Sequence, residues 1–123
     1  MPTLNKTVPL YLQITDIVKG KIVSGIYTSG CKLPSIRDMA LEYEVTPNTI
    51  QRALQTLEQE GLICTERTNG KYVTNQVSLI KQVRNEQLTA IVHQVITDLN
   101  RHGYSKTEIE ECVMKELSMV NEE

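Results

Sequence analysis

The feature that most constrains this chain is a change of hydrophobic period at Gly61. Before it, apolar residues recur at helical spacing in three segments. After it, LICTERTNGKYVTN sets Asn69-Gly70 between two short runs, Leu62 to Glu66 and Lys71 to Thr74, each with β-branched residues or Tyr. Asn-Gly so flanked is the strongest short-range signal of a β-hairpin. Among the upstream segments, the first opens at Pro9, a residue favoured at the first helical position. It carries Leu10, Ile14, Ile17, Val18 and Ile22 on one face and ends near Gly25. Gly20 inside it costs about 1 kcal/mol relative to Ala and leaves room for a kink. In the second, Ser35 followed three residues later by Asp38 resembles a capping box, and Ile36, Met39, Ala40 and Tyr43 form the apolar face. In the third, Thr46 can cap, Pro47 suits the first turn, and Ile50, Ala53, Leu54 and Leu57 keep the period until Gly61 stops it. Two short helices are therefore joined by a turn of roughly three or four residues.

Beyond the hairpin, no turn residue interrupts Val77 to Arg101. Leu88, Ile91, Val92, Val95, Ile96 and Leu99 share one helical face there, which predicts a helix of about 24 residues. Ser105 with Glu108 repeats the capping-box spacing, and Ile109, Cys112, Val113, Leu117 and Val120 continue the period. The tail reads as a helical hairpin with one apolar stripe. The expected fold is mainly α with a small β-hairpin: a winged helix-turn-helix over residues 1–76, then a two-helix dimerisation tail over 77–123.

With 123 residues the chain has room for one compact domain, or a small domain with an appendage, and none for a large two-lobed enzyme. The absence of Trp and Phe, with five scattered Tyr, predicts an aliphatic core and disfavours an RNA-stacking module. Cys31, Cys64 and Cys112 form no C-x-x-C pair and have no His placed to complete a zinc set, so neither a disulfide framework nor a metal site is expected. By spacing, Cys64 and Cys112 read as small buried hydrophobes and Cys31 as the exposed one. His93 and His102 have no partner at metal-pair spacing and read as structural. No activated nucleophile, paired carboxylates or glycine-rich phosphate loop is present, so no enzyme activity, catalytic residue or cofactor is expected. The N-terminus lacks a signal pattern and no apolar run approaches the roughly 18 residues that span a bilayer, which predicts a soluble cytoplasmic protein without a membrane partner.

The order helix, helix, short turn, helix, hairpin lets the third helix enter a DNA major groove about 12 Å wide. Setting aside its apolar residues leaves Asn48, Thr49, Gln51, Arg52 and Gln55 outward, with no acidic residue before Glu58. Asn and Gln can pair with adenine, and Arg with guanine or phosphate. Taken alone, such a face fits an ordinary solvated surface better. Arg37, in the first turn of the preceding helix, opposes the helix dipole unless something negative lies beyond it. A phosphate would serve, and so would a salt bridge to Asp38 or Glu42. Asn69, Gly70 and Lys71 give the wing a tight turn and one cation able to reach a minor groove or backbone, or simply an exposed hairpin. Net charge is −2 for the whole chain. Residues 1–75 carry eight Lys/Arg against seven Asp/Glu, and residues 76–123 carry five against eight. A half at only +1 must bind DNA through where its charges sit, and with strong salt dependence.

The stretch VPLYLQI, then GIYTSGCKLPSIRDMALEYEVTPNTIQRALQTLEQEGLI and the wing TNGKYV, resembles the N-terminal DNA-binding domain of the GntR family of bacterial transcription regulators over roughly Val8 to Asn75. L-P-S-x-R, V-T-x-N-T-[IV]-x-R-A-L and E-G-L-I stand in their expected order. The resemblance implies that Arg37 and the recognition-helix residues Thr46, Asn48, Thr49, Gln51 and Arg52 touch DNA, with Gly70 close to a minor groove. Family wings often read G-x-G-T-[FY]-V, whereas here Thr68 replaces the first Gly and Lys71 the Thr. With Ser35, Pro47, Asn69 and Lys71 added, these residues are the candidate DNA-contacting set.

About 48 residues follow Asn75, roughly a third of the length of the effector domains in larger subfamilies, which need pockets of about 300 Å³ or more. The short tail resembles the YtrA-type subfamily, which implies dimerisation and a gene beside a transporter operon. Independently, a stripe of Leu88, Ile91, Val92, Val95, Ile96, Leu99, Ile109, Val113 and Leu117 offers more apolar surface than one partner helix covers. A second copy is the simplest cover, and packing back onto the winged helix is the alternative. The expected function is a homodimeric, sequence-specific regulator of double-stranded DNA, a repressor on an inverted-repeat operator, with its small-molecule effector unknown. The rival is a winged-helix protein-interaction module with weak or no specific DNA binding.

Overall fold

The computed structural model describes residues 7–120. They form α1 (Leu10–Val23), α2 (Ile36–Tyr43), α3 (Pro47–Gln59), β1 (Ile63–Glu66), β2 (Gly70–Val73), α4 (Val77–Arg101) and α5 (Lys106–Met119). This is the mainly helical winged helix-turn-helix with two C-terminal helices that the pattern predicts. The chain divides into two compact units, one up to Arg84 and one from Asn85, and α4 runs from the first into the second.

The core of the first unit is aliphatic. Ile14, Val18 and Ile22, spaced by four, form the buried edge of α1. They meet Met39, Ala40 and Tyr43 of α2, and Ile50, Ala53, Leu54 and Leu57 of α3. Leu62, Ile63 and Val73 close the base of the hairpin, and Leu79, Ile80 and Val83 in the first two turns of α4 pack against the same cluster. Each fully buried Leu or Ile contributes about 1.5–3 kcal/mol relative to exposure.

Helix ends follow the predicted signals with small shifts. Pro9 occupies the N-cap position of α1 rather than its first turn, and α1 continues through Gly20 to Val23. Ser35 Oγ accepts the N–H of Asp38 at 3.0 Å, but no return bond from the Asp38 carboxylate is present among the described residues. A capping box needs the longer Glu or Gln to reach back, and Asp is one methylene short. Thr46 caps α3 by accepting from Thr49 N–H. At α5 the full box forms: Glu108 N–H donates to Ser105 Oγ and Ser105 N–H to the Glu108 carboxylate at 2.9 Å. Those bonds to Ser105 hold Glu108 below the ordinary carboxylate range.

The turn between α2 and α3 is built on Glu44, whose φ is +56°. Val45 N–H donates to Ala40 C=O at 3.1 Å and wraps the end of α2. This is the left-handed closure that glycine usually makes, as Gly61 does after α3 at φ +81° with Leu62 N–H on Leu57 C=O.

The hairpin is antiparallel, pairing Ile63 with Val73, Cys64 with Tyr72, Thr65 with Lys71 and Glu66 with Gly70. Residues 67–69 make the connection, so Gly70 sits at the head of β2 with φ +99°. A bridge from Lys32 to Tyr72, with Leu33 N–H on Lys71 C=O and Val73 N–H on Cys31 C=O, pins the outer edge of β2. The cysteines reverse their expected order. Cys64 and Cys112 are exposed, whereas Cys31 is half-buried against the core. A two-stranded ribbon buries only its base, so Ile63 is inside and the rest of β1 outside. Cys31 is drawn inward by its bonded segment.

In the second unit, Tyr104 N–H on Leu99 C=O and Gly103 N–H on Asn100 C=O close the end of α4 before α5 begins. Neither α4 nor α5 contains a fully buried residue. Leu88 is 61% exposed, Ile91 63% and Leu117 61%; Val92, Val95, Ile96 and Val113 are also exposed, and Leu99 and Ile109 are half-buried. Among the described residues, no helix is long and apolar enough to cross a membrane.

Candidate nucleic-acid interface

The third helix presents the surface of interest because its core residues fix its rotation. With Ile50, Ala53, Leu54 and Leu57 buried, Asn48, Gln51, Arg52 and Gln55 are left exposed. The first carboxylate on α3, Glu58, is half-buried and turned to internal work. It accepts the Thr65 hydroxyl and lies 3.7 Å from Lys71 Nζ, which also reaches Thr65 Oγ1 at 2.8 Å. The outward part of α3 ahead of Glu58 is therefore free of negative charge.

The two threonines at the start of α3 are partly committed. Thr46, exposed, accepts from Thr49 N–H at 3.3 Å, and the two hydroxyls are 2.9 Å apart. Thr49 is half-buried, whereas Pro47 and Asn48 are exposed in the first turn. Their position at a helix N-terminus places backbone N–H groups and the positive end of the dipole beside the outward face.

Arg37 and Ser35 are exposed at the start of α2. Arg37 makes no ion pair among the described residues; Glu42, one of its two potential partners, lies 3.5 Å from Lys21 instead. Ser35, Asn69, Gly70 and Lys71 line one open cleft between the wing and the start of α2, together with Lys32 and Arg67. Lys71 brings a charge already balanced by Glu58. Lys32 and Arg67 are exposed and carry no ion pair among the described residues, and Glu66, also exposed, lines the same cleft. Hydrophobic periodicity does not single out either one. Their signal is the tertiary bridge that lays the segment before α2 along β2.

A second group escapes a sequence reading altogether. The Arg52 guanidinium lies over the Tyr11 ring of α1, its Cζ 3.7 Å from the ring centre. No local spacing links residues 11 and 52; the packing of α1 against α3 brings them together. The predicted set therefore falls into three places: the outward face of α3, the start of α2, and the wing cleft.

A helix-turn-helix whose second helix shows an uninterrupted hydrogen-bonding face, flanked by unpaired cations and a wing, defines a winged helix-turn-helix DNA-binding protein. Residues 10–73 match the family described as "Bacterial regulatory proteins, gntR family". The chain belongs to the GntR family of transcriptional regulators. It is 30% identical over 105 residues to the uncharacterized HTH-type transcriptional regulator YhcF of Bacillus subtilis, spanning 85% of this chain and 87% of that protein. It is 32% identical over 111 residues to the HTH-type transcriptional repressor YtrA of the same organism, spanning 89% and 85%. Among solved structures, a GntR family transcriptional regulator from Listeria monocytogenes superposes with a TM-score of 0.85 at 36% identity, covering 91% of this chain and 98% of that one. These likenesses extend beyond the residues 10–73 that the family matches.

Proposed function

We propose that the chain is a homodimeric repressor that reads an inverted-repeat operator in double-stranded DNA. One α3 enters the major groove of each half-site, with half-sites on the order of one helical turn apart. The observation that carries this reading is the outward face of α3, where Asn48, Gln51, Arg52 and Gln55 stand exposed with no carboxylate among them. Gln51 and Arg52 are assigned to base edges, and Asn48 and the first-turn amides to the groove wall. Ser35 and Arg37, with Lys32 and Arg67 beside the wing, are assigned to the phosphate backbone, and Asn69 and Gly70 to the adjacent minor groove. Thr46 and Thr49 hold the start of α3, with hydroxyl lone pairs left to accept, and Lys71 orders the wing.

Residues 1–76 are the DNA-binding part and 77–123 the dimerisation part, with the first turns of α4 bracing the former. The exposed stripe on α4 and α5 supports the dimer, because covering it with an identical stripe satisfies both copies at once. The repressor named among the relatives supports repression, and the YtrA-type tail supports an operator beside a transport system. Selection of duplexes from a random library by the purified protein tests the reading. Enrichment of an inverted repeat, with steep loss of affinity as salt rises, is the expected outcome. No enriched sequence and a flat salt response would replace it with a protein-interaction module.

A further inference from the structure

We propose that Tyr11 is a positioning residue for DNA recognition, acting through Arg52; this rests on the DNA-binding reading above. Arg52 projects from the exposed face of α3, where a free arginine would sample many rotamers and lose that freedom on binding. Here its guanidinium lies over the Tyr11 ring, its Cζ 3.7 Å from the ring centre, well within cation–π contact. The backbone that carries the ring is itself held. Tyr11 is half-buried in the first turn of α1, and its carbonyl accepts the Thr15 hydroxyl at 2.7 Å, with Thr15 buried. Arg52 has no ion pair among the described residues, so no carboxylate competes for its N–H donors. Stacking engages the faces of a guanidinium and leaves its N–H edge free to donate. The first helix, outside the helix-turn-helix proper, thus sets the direction from which Arg52 approaches a base or phosphate.

The alternative use of such a stack is sequestration, in which Tyr11 holds Arg52 away from DNA. The two uses predict opposite signs. The test measures affinity for the duplex that the wild-type chain selects, using Tyr11→Phe and Tyr11→Leu, each with and without Arg52→Ala. Tyr11→Phe, which keeps the ring, is expected to stay within about twofold of wild type, the usual limit of additivity. Tyr11→Leu is expected to weaken binding roughly threefold to thirtyfold, the span of such stacks between exposed and desolvated settings. In the Arg52→Ala background the same change is expected to have less than about a twofold effect. A thermal melt of each variant keeps folding separate, and the Arg52 Nε–H proton resonance, shielded by the ring in wild type, should move downfield in Tyr11→Leu. Tighter binding by Tyr11→Leu, an equal loss with and without Arg52, or an unshifted resonance overturns the proposal while leaving DNA binding intact. Failure of the wild-type chain to select any duplex overturns both.

Discussion

Arg52 concentrates two demands on one side chain, since its guanidinium packs over Tyr11 while the residue stays exposed on the outward face of α3. Arg52→Ala is expected to weaken operator binding by about 1–3 kcal/mol, measured by titration of a selected duplex, while the protein stays folded. Lys21 shows the same use of tyrosine for structure. Its Nζ sits 5.5 Å from the centre of Tyr27 and 5.3 Å from that of Tyr43, and donates to Tyr43 Oη at 2.7 Å. That hydrogen bond, opposed by burial and aided by the electrostatics of both tyrosines and Glu42, raises Lys21 above its ordinary 10.5. Burial raises Tyr27 above its ordinary 10.0. The signs agree. A lysine with a raised folded pKa stabilises the fold below its unfolded pKa and loses that contribution as pH climbs through the folded value. A tyrosine with a raised folded pKa keeps its proton in the native state after the unfolded chain has begun to release it. In both cases the native state holds more protons than the unfolded one, so stability is expected to fall above about pH 10. Urea titrations at about pH 8 and about pH 11 would show it as a drop in midpoint, and Lys21→Met together with Tyr27→Phe should flatten the difference. None of these aromatic–cation pairs is legible in the sequence. Arg52–Tyr11 and Lys21–Tyr43 join different helices and Lys21–Tyr27 reaches across the turn after α1, whereas periodicity speaks only of neighbours along one helix.

At the level of elements, the helices and hairpin were readable because burial and capping are local. Ile14, Val18 and Ile22 mark a helix by their spacing, and Thr46-Pro47 and Ser105…Glu108 mark starts by the N–H groups they satisfy. What spacing could not supply was backbone conformation at the helix-turn-helix corner. Glu44 adopts φ +56° in an exposed turn, where nothing in its side chain requires that geometry. A non-glycine residue there is strained by contact of its Cβ with the carbonyl, which glycine avoids. Glu44→Gly is therefore expected to raise stability by about 0.5–1 kcal/mol, after allowing for the greater freedom of glycine in the unfolded chain. Glu44→Val, branched at Cβ, should lower it. Chemical denaturation of the two variants checks both signs. The wing shows a similar limit: Asn69-Gly70 located the hairpin, but pairing of Glu66 with Gly70 sets a three-residue connection. The latch of Glu58, Thr65 and Lys71 became visible only once α3 and β1 were adjacent.

For the molecule as a whole, net charge and length indicate the class of partner poorly, because a sum of −2 does not show that Lys32, Arg37, Arg52 and Arg67 stand exposed at α3, the start of α2 and the wing. The apolar tail stripe is legible in the sequence as an exposed face, and the proposed dimer would cover it. Ile91→Glu, at a position 63% exposed within the chain, should leave the monomer folded and shift sedimentation to monomer. Operator affinity should fall with it by roughly a hundredfold, as a bivalent contact becomes monovalent. A dimer unchanged by Ile91→Glu and Leu88→Glu together would remove this stripe from the interface. The sealing of the winged-helix core by Leu79, Ile80 and Val83 bears, finally, on the order in which the protein matures on the ribosome. A nascent chain released only as far as Gln76 already contains every candidate DNA contact, yet lacks the side chains that close its own core. The DNA-binding unit is therefore expected to gain its last packing as the first turns of α4 emerge. A fragment ending at residue 76 should accordingly melt lower than one ending at residue 88, and protease protection of stalled chains should step up between those lengths.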